Sequence, residues 1–142
     1  MSIRPMTIAD YPAVFALWSA SLTSARDIDD SPQAIERFLS RNPGTSVVAE
    51  VKGEIVGSIL CGHDGRRGCL YHVAVDAAHR RCGVGQAMVR ACLAALRTEG
   101  IHRCALVAFT KNEGGNAFWK AMGFAQREDL FYRDVILEGE PL

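Results

Sequence analysis

No stretch of this chain is apolar for long enough to cross a membrane, and its N-terminus carries no apolar run of the secretory kind. Neither a membrane span nor export is therefore indicated. Like charges form no block, and sixteen Lys and Arg balance sixteen Asp and Glu. Strong attraction to nucleic acid or to an anionic membrane surface is not expected from such a chain. Cysteines are few, odd in number and scattered, at positions 61, 69, 82, 92 and 104. They lack the paired framework of a disulfide scaffold, so reduced thiols in the cytosol are the simplest account. Repeats, linkers and low-complexity tracts are missing as well. What is present is ordinary globular material, 142 residues of which 49% are hydrophobic. That is enough for one domain over residues 1–142 with one core.

Residues 2–5 suit a short first strand. Val14, Leu17, Trp18, Ser21 and Leu22 recur at helical spacing, behind Thr7 or Asp10 as cap and Pro12 in the first turn. Ser31-Pro32 opens a second helix whose apolar face is Ile35, Phe38 and Leu39. The polar connection from Thr23 to Asp30 between them is the least defined segment. Asn42-Pro43-Gly44 is a turn, and Lys52-Gly53 reverses a strand over 46–51 into another over 54–61. Residues 63–68 read as a loop and Cys69 to Val75 as the next strand. A helix follows, with Val84, Met88, Ala91, Cys92, Ala95 and Leu96 on one face, and Gly100 ends it. Cys104 to Phe109 reads as a buried strand, Gly114 to Met122 as a short helix, and Glu128 to Leu137 as a final strand. The order β-α-α-β-β-β-α-β-α-β implies an α/β (α+β) fold, a mixed and mostly antiparallel sheet with helices on both faces.

The most informative stretch runs from Val73 to Gln86, where an apolar strand ends, Arg80 and Arg81 follow, and Gly83 and Gly85 open the long helix. A helix start leaves backbone N–H groups without internal partners and carries partial positive charge. Glycines let a phosphate approach that backbone closely, and the two arginines add fixed charge beside it. The pattern reads as a pyrophosphate seat. It is not a dinucleotide fingerprint, because Met88 stands where a third glycine or alanine belongs and no acid lies in Cys104 to Phe109. Nor is it a Walker A loop, since none of Lys52, Lys111 and Lys120 follows a glycine.

What remains, Arg80-x-x-Gly83-x-Gly85, resembles the acyl-CoA pyrophosphate loop of the GCN5-related N-acetyltransferase (GNAT) superfamily. Asn112 through Phe124 is similar to that family's Asn-x-x-Ala-x-x-Phe-Tyr-x-Lys-x-Gly-Phe element, with Gly115 where Ala is usual and Trp119 where Tyr is usual. The resemblance implies acetyl transfer from acetyl-CoA to a primary amine by direct attack in a ternary complex, with no metal. It implies that main-chain groups of Val73, Ala74 and Val75 bond the pantetheine arm. Arg80 and the backbone of Arg81, Cys82, Gly83, Val84, Gly85 and Gln86 would take the pyrophosphate. Asn112 would contact the pantetheine or cap the following helix. Phe118 and Trp119 would flank the arm near its thiol, with core packing the more expected fate of Phe118. The region corresponding to Thr23–Asp30 helps shape the acceptor pocket in that family. The implied partner is a small-molecule or peptide amine, and homodimers are frequent among relatives.

Trp119 departs from the pattern where many relatives place a tyrosine hydroxyl as acid for the leaving thiolate. An indole N–H is a donor without an accessible acid titration. Either the thiolate leaves unassisted or another group serves. Tyr132 is the available phenol, although a packed strand aromatic is its more expected fate. Relatives often use a carboxylate on the strand before the loop as base, yet no acid lies between Asp64 and Asp76. Tyr71 and His72 occupy those positions, and strand alternation sends them to opposite faces. Histidine has the more suitable ordinary titration range, with Tyr71 as pocket wall or water-holder. The pairs Cys61/His63 and Cys69/His72 invite a zinc reading, but the second pair would project to opposite faces of a strand. A Cys–His nucleophile is equally disfavoured, because the cysteines sit in apolar runs. Trp119 and the missing carboxylate leave one rival open, a non-catalytic acyl-CoA-binding module of the same fold.

Overall fold

The computed structural model describes residues 1–21 and 28–137. Leu22 and most of the connection from Thr23 to Asp30 lie outside them. The chain forms two compact units, Met1–Val107 and Ala108–Leu142. The first contains β1 (Ser2–Pro5), α1 (Tyr11–Ser21), α2 (Pro32–Arg41), β2 (Val47–Val51), β3 (Glu54–His63), β4 (Gly68–Val75), α3 (Val84–Thr98) and β5 (Cys104–Ala105). The second contains α4 (Glu113–Ala121).

The sheet runs in the order β1-β2-β3-β4-β5, antiparallel throughout except that β5 lies parallel to β4. Adjacent β3 residues mark its two faces. Ser58 accepts a hydrogen bond from Trp18 Nε1 of α1 at 3.0 Å. A Cβ on Gly57 would lie 2.8 Å from Met88 Cε of α3. Helices thus cover both faces, as expected. On the α1/α2 side, Met6, Val14, Leu17, Trp18, Ile35, Val48, Leu60 and Ala74 form the core, and Trp18 has no exposed surface. On the other side α3 buries Val84, Met88, Val89, Cys92 and Leu96.

Local chemistry sets the element ends. Ser31 caps α2 by accepting from Ala34 N at 3.2 Å, with Pro32 in the first turn. Before α1, the Asp10 carboxylate accepts from Thr7 N at 2.9 Å and from the Arg4 guanidinium, which also bonds Glu50. Arg4, then the Thr7 amide, holds the Asp10 carboxyl below the usual carboxylate range.

Glycine lets α3 lie close to the sheet. A Cβ on Gly68 would stand 2.5 Å from Leu96 Cδ1, and Leu96 is buried. Gly68→Ala is expected to destabilise the fold by about 1–3 kcal/mol through overpacking. Urea unfolding would measure this, and an unchanged midpoint would show that Leu96 has room to yield.

Two strand expectations are corrected. The strand expected over Cys104 to Phe109 pairs only at Cys104 and Ala105, and Val107 and Phe109 are exposed rather than buried. The final strand expected over Glu128 to Leu137 does not form. That segment makes no ladder, and Phe131, Tyr132, Ile136 and Leu137 are 87%, 73%, 82% and 85% exposed. Its apolar residues favour a strand, but a strand needs a ladder partner for its main chain, and none of the described residues supplies one.

Candidate acyl-CoA site

β4 carries a bulge opposite Ile59 of β3. Ala74 stands opposite Ser58 and Tyr71 opposite Leu60, so His72 and Val73 together face the single residue Ile59. His72 absorbs the extra residue with φ +49°, a region histidine enters more readily than most side chains. The bulge overturns the alternation argument. Tyr71 and Ala74 now share the face of Leu60 and Ser58. Tyr71 meets the Phe38 ring of α2 edge-on at 5.9 Å, and the His72 ring lies 4.8 Å from Trp18 of α1. Both side chains therefore reach the α1/α2 side of the sheet.

His72 Nε2 lies 2.9 Å from both carboxylate oxygens of Asp30. The two side chains are 18% and 9% exposed, so solvent screens the pair little. Tyr11 Oη donates to the Asp30 carbonyl at 2.7 Å, and Ser31 N donates to Asp29 Oδ1 at 2.9 Å. These bonds fix the chain just before α2. Sequence reasoning passed over Asp30 because it lies 42 positions from His72. The one local signal was its place directly before the Ser31-Pro32 helix start.

β5 pairs with β4 only at Gly68 and Cys69. On that side the main chain of Val73 to Val75 has no strand partner among the described residues, which leaves an edge of the kind an extended arm adds to. The Val75 carbonyl accepts from Arg80 Nε at 3.3 Å. Asp76 and His79 pair at 2.9 Å across the turn that follows. Arg81 (φ +63°) and Gly83 (φ +80°, the cap of α3) are both left-handed. Ala87 N closes the first helical bond onto Gly83 O at 3.1 Å. The amides of Val84, Gly85 and Gln86 therefore have no intrahelical partner. Successive amides in such a turn form an anion-binding concavity. These residues fit a diphosphate.

In the second unit, Asn112 caps α4 by accepting from Gly115 N at 3.0 Å. A Cβ on Gly115 would stand 2.4 Å from Asn112 Nδ2, which explains glycine where alanine is usual. Trp119 is buried, its ring edge-on to Phe118 at 4.9 Å and to Phe124 at 5.2 Å. Tyr132, expected to be a packed strand aromatic, is instead exposed and outside any strand. Its own unit gives it no geometric support as an acid.

Among the described residues no group of three or more His, Cys, Asp and Glu is placed to hold a metal, and no helix is long and apolar enough to cross a membrane. The Cys61 hydrogen bond, then burial, pushes the Cys92 thiol well up, and burial pushes Cys104 up to about 12. Neither supplies a thiolate at neutral pH.

Residues 11–124 match the model of the Acetyltransferase (GNAT) family. An acetyltransferase of Pectobacterium atrosepticum is 39% identical over 89 residues, 63% of this chain and 62% of that protein. This chain thus aligns with less than two thirds of that relative's length. An acetyltransferase of Yersinia enterocolitica is 30% identical over 142 residues, 100% of this chain and 96% of the relative. Among solved structures, Ard1 from Thermoplasma volcanium superposes with a TM-score of 0.77 at 27% identity, covering 86% of this chain and 80% of that one. AAC(6')-Iy in complex with a CoA-containing bisubstrate analogue gives 0.76 at 18% identity, covering 95% and 98%.

Proposed function

Because this chain belongs to the GNAT acetyltransferase family, we propose that it transfers acetyl from acetyl-CoA to a primary amine by direct attack, in the cytosol and without a metal. The left-handed turn at Arg81 and Gly83 ahead of the open amides of α3 carries this reading. Those amides, with Arg80 and Arg81, hold the pyrophosphate. The unpaired edge of Val73 to Val75 aligns the pantetheine arm, which brings the thioester alongside β4. Opening of the Arg80–Val75 bond frees one carbonyl for that arm.

An alkylammonium titrates near about 10.4, so a base must take its proton before attack. His72 does this, directly or through one water, and becomes imidazolium. The amine nitrogen then attacks the thioester carbonyl carbon, the C–S bond breaks, and CoA leaves as thiolate. A thiolate is a fair leaving group, so the absence of a hydroxyl at Trp119 does not stop the reaction. The acceptor is a primary amine on a small molecule or peptide; the bisubstrate analogue bound by AAC(6')-Iy carries an acetylated neamine, in keeping with that class.

Trp119 also supports a second reading, a module that binds acyl-CoA without turnover. Acetyl-CoA consumption against a panel of polyamines, amino acids, aminoglycosides and peptide N-termini separates the two. Release of free CoA that depends on one amine class is expected. Tight binding with no turnover on any member would favour the non-catalytic module.

A further inference from the structure

The pairing of His72 with Asp30 joins the bulge of β4 to the chain just before α2. Both oxygens of Asp30 meet the same ring nitrogen, Nε2, at 2.9 Å. A carboxylate only accepts hydrogen bonds, so Nε2 must carry a proton. In the neutral ring the lone pair then resides on Nδ1. The ring cannot easily turn over to exchange its nitrogens. Trp18, fully buried and bonded to Ser58, packs 4.8 Å from it, and the bulge fixes its backbone. Asp30 is held in turn through its carbonyl by Tyr11.

From this geometry we infer that Asp30 is a positioning residue that keeps His72 in the Nε2–H tautomer and so makes Nδ1 the nitrogen that accepts the acceptor ammonium's proton. The proton moves from the substrate nitrogen to Nδ1, while the Nε2 proton stays on the ring, facing the carboxylate. The resulting imidazolium is stabilised by the adjacent negative charge. Asp30 touches neither the reacting amine nor the thioester in this scheme. It acts through His72 alone, and the inference rests on the reading of His72 as base.

Nitrogen-15 NMR of the full chain labelled at histidine reads the tautomer directly. Neutral His72 is expected with its proton on Nε2 and an unprotonated Nδ1. In Asp30→Asn the side-chain amide can meet Nε2 as donor or acceptor, so the Nδ1–H form becomes populated. The kcat/KM for the amine is then expected to fall about 10- to 100-fold, with KM for acetyl-CoA changed by less than about twofold. A parent ring protonated on Nδ1, or Asp30→Asn at the parent kcat/KM, overturns the inference. Should Asp30→Asn fail to fold, the spectrum of the parent protein still decides the tautomer. His72→Asn, measured alongside, separates the two claims. Full activity in that variant defeats His72 as base, whereas an inactive His72→Asn beside a fully active Asp30→Asn defeats the role of Asp30 alone.

Discussion

Gly83→Glu is expected to weaken CoA binding by at least about 100-fold, close to 3 kcal/mol. Gly83 caps α3 with φ +80°, and a Cβ there would meet nothing within 4 Å. The added side chain therefore enters the open space before the helix rather than the core. Its carboxylate would compete with the diphosphate for the amides of Val84, Gly85 and Gln86 and would repel it. The left-handed backbone adds a conformational cost of about 1 kcal/mol, which lowers the melting temperature by several degrees without unfolding the chain. Gly83→Asn is the matched control, because asparagine tolerates that backbone and adds no charge. Calorimetric titration with CoA should rank glycine above asparagine and asparagine well above glutamate. Equal affinities across the three would remove the phosphate seat from Gly83.

The second large effect is on turnover. His72→Asn is expected to lower kcat/KM for the amine on the order of 100- to 1,000-fold, the usual contribution of a general base. Asparagine is the informative replacement, because it accepts the left-handed φ of residue 72 and has no titratable nitrogen. The bulge thus keeps its backbone conformation, and the loss reports the missing base rather than a collapsed bulge. CoA affinity should stay within about twofold, since the proposed diphosphate seat lies beyond residue 79. Steady-state rates combined with a direct CoA titration check both halves. A variant that turns over like the parent would hand the proton to another group, with Tyr71 next in reach on the same strand.

The sequence was most readable where a few neighbouring residues settle the backbone among themselves. Ser31-Pro32 is a complete helix start, Lys52-Gly53 is a complete reversal, and Gly83 is the left-handed cap that opens α3. Each needs no distant partner. The bulge in β4 was hidden because no glycine announces it. His72 takes the left-handed conformation itself, so the period-two rule ran one residue out of step beyond Tyr71. The Asp30–His72 pair depends on packing between α1, α2 and the sheet, which local spacing does not encode. The final strand failed for the opposite reason. Phe131, Tyr132, Val135, Ile136 and Leu137 have strand propensity, but a strand is defined by its neighbour, and propensity does not supply one. Asn112 shows the middle case, where a helix cap was one of two readable roles and the bond to Gly115 N establishes it.

In the proposed reaction the mouth of α3 holds the diphosphate of a thioester whose arm lies along β4. A crystal structure with saturating acetyl-CoA tests it most directly. Phosphate density is expected against the amides of Val84 to Gln86 and the acyl group beside Val73 to Val75, within reach of His72. Density for the nucleotide at any other surface, or none at α3 under saturating ligand, would contradict it.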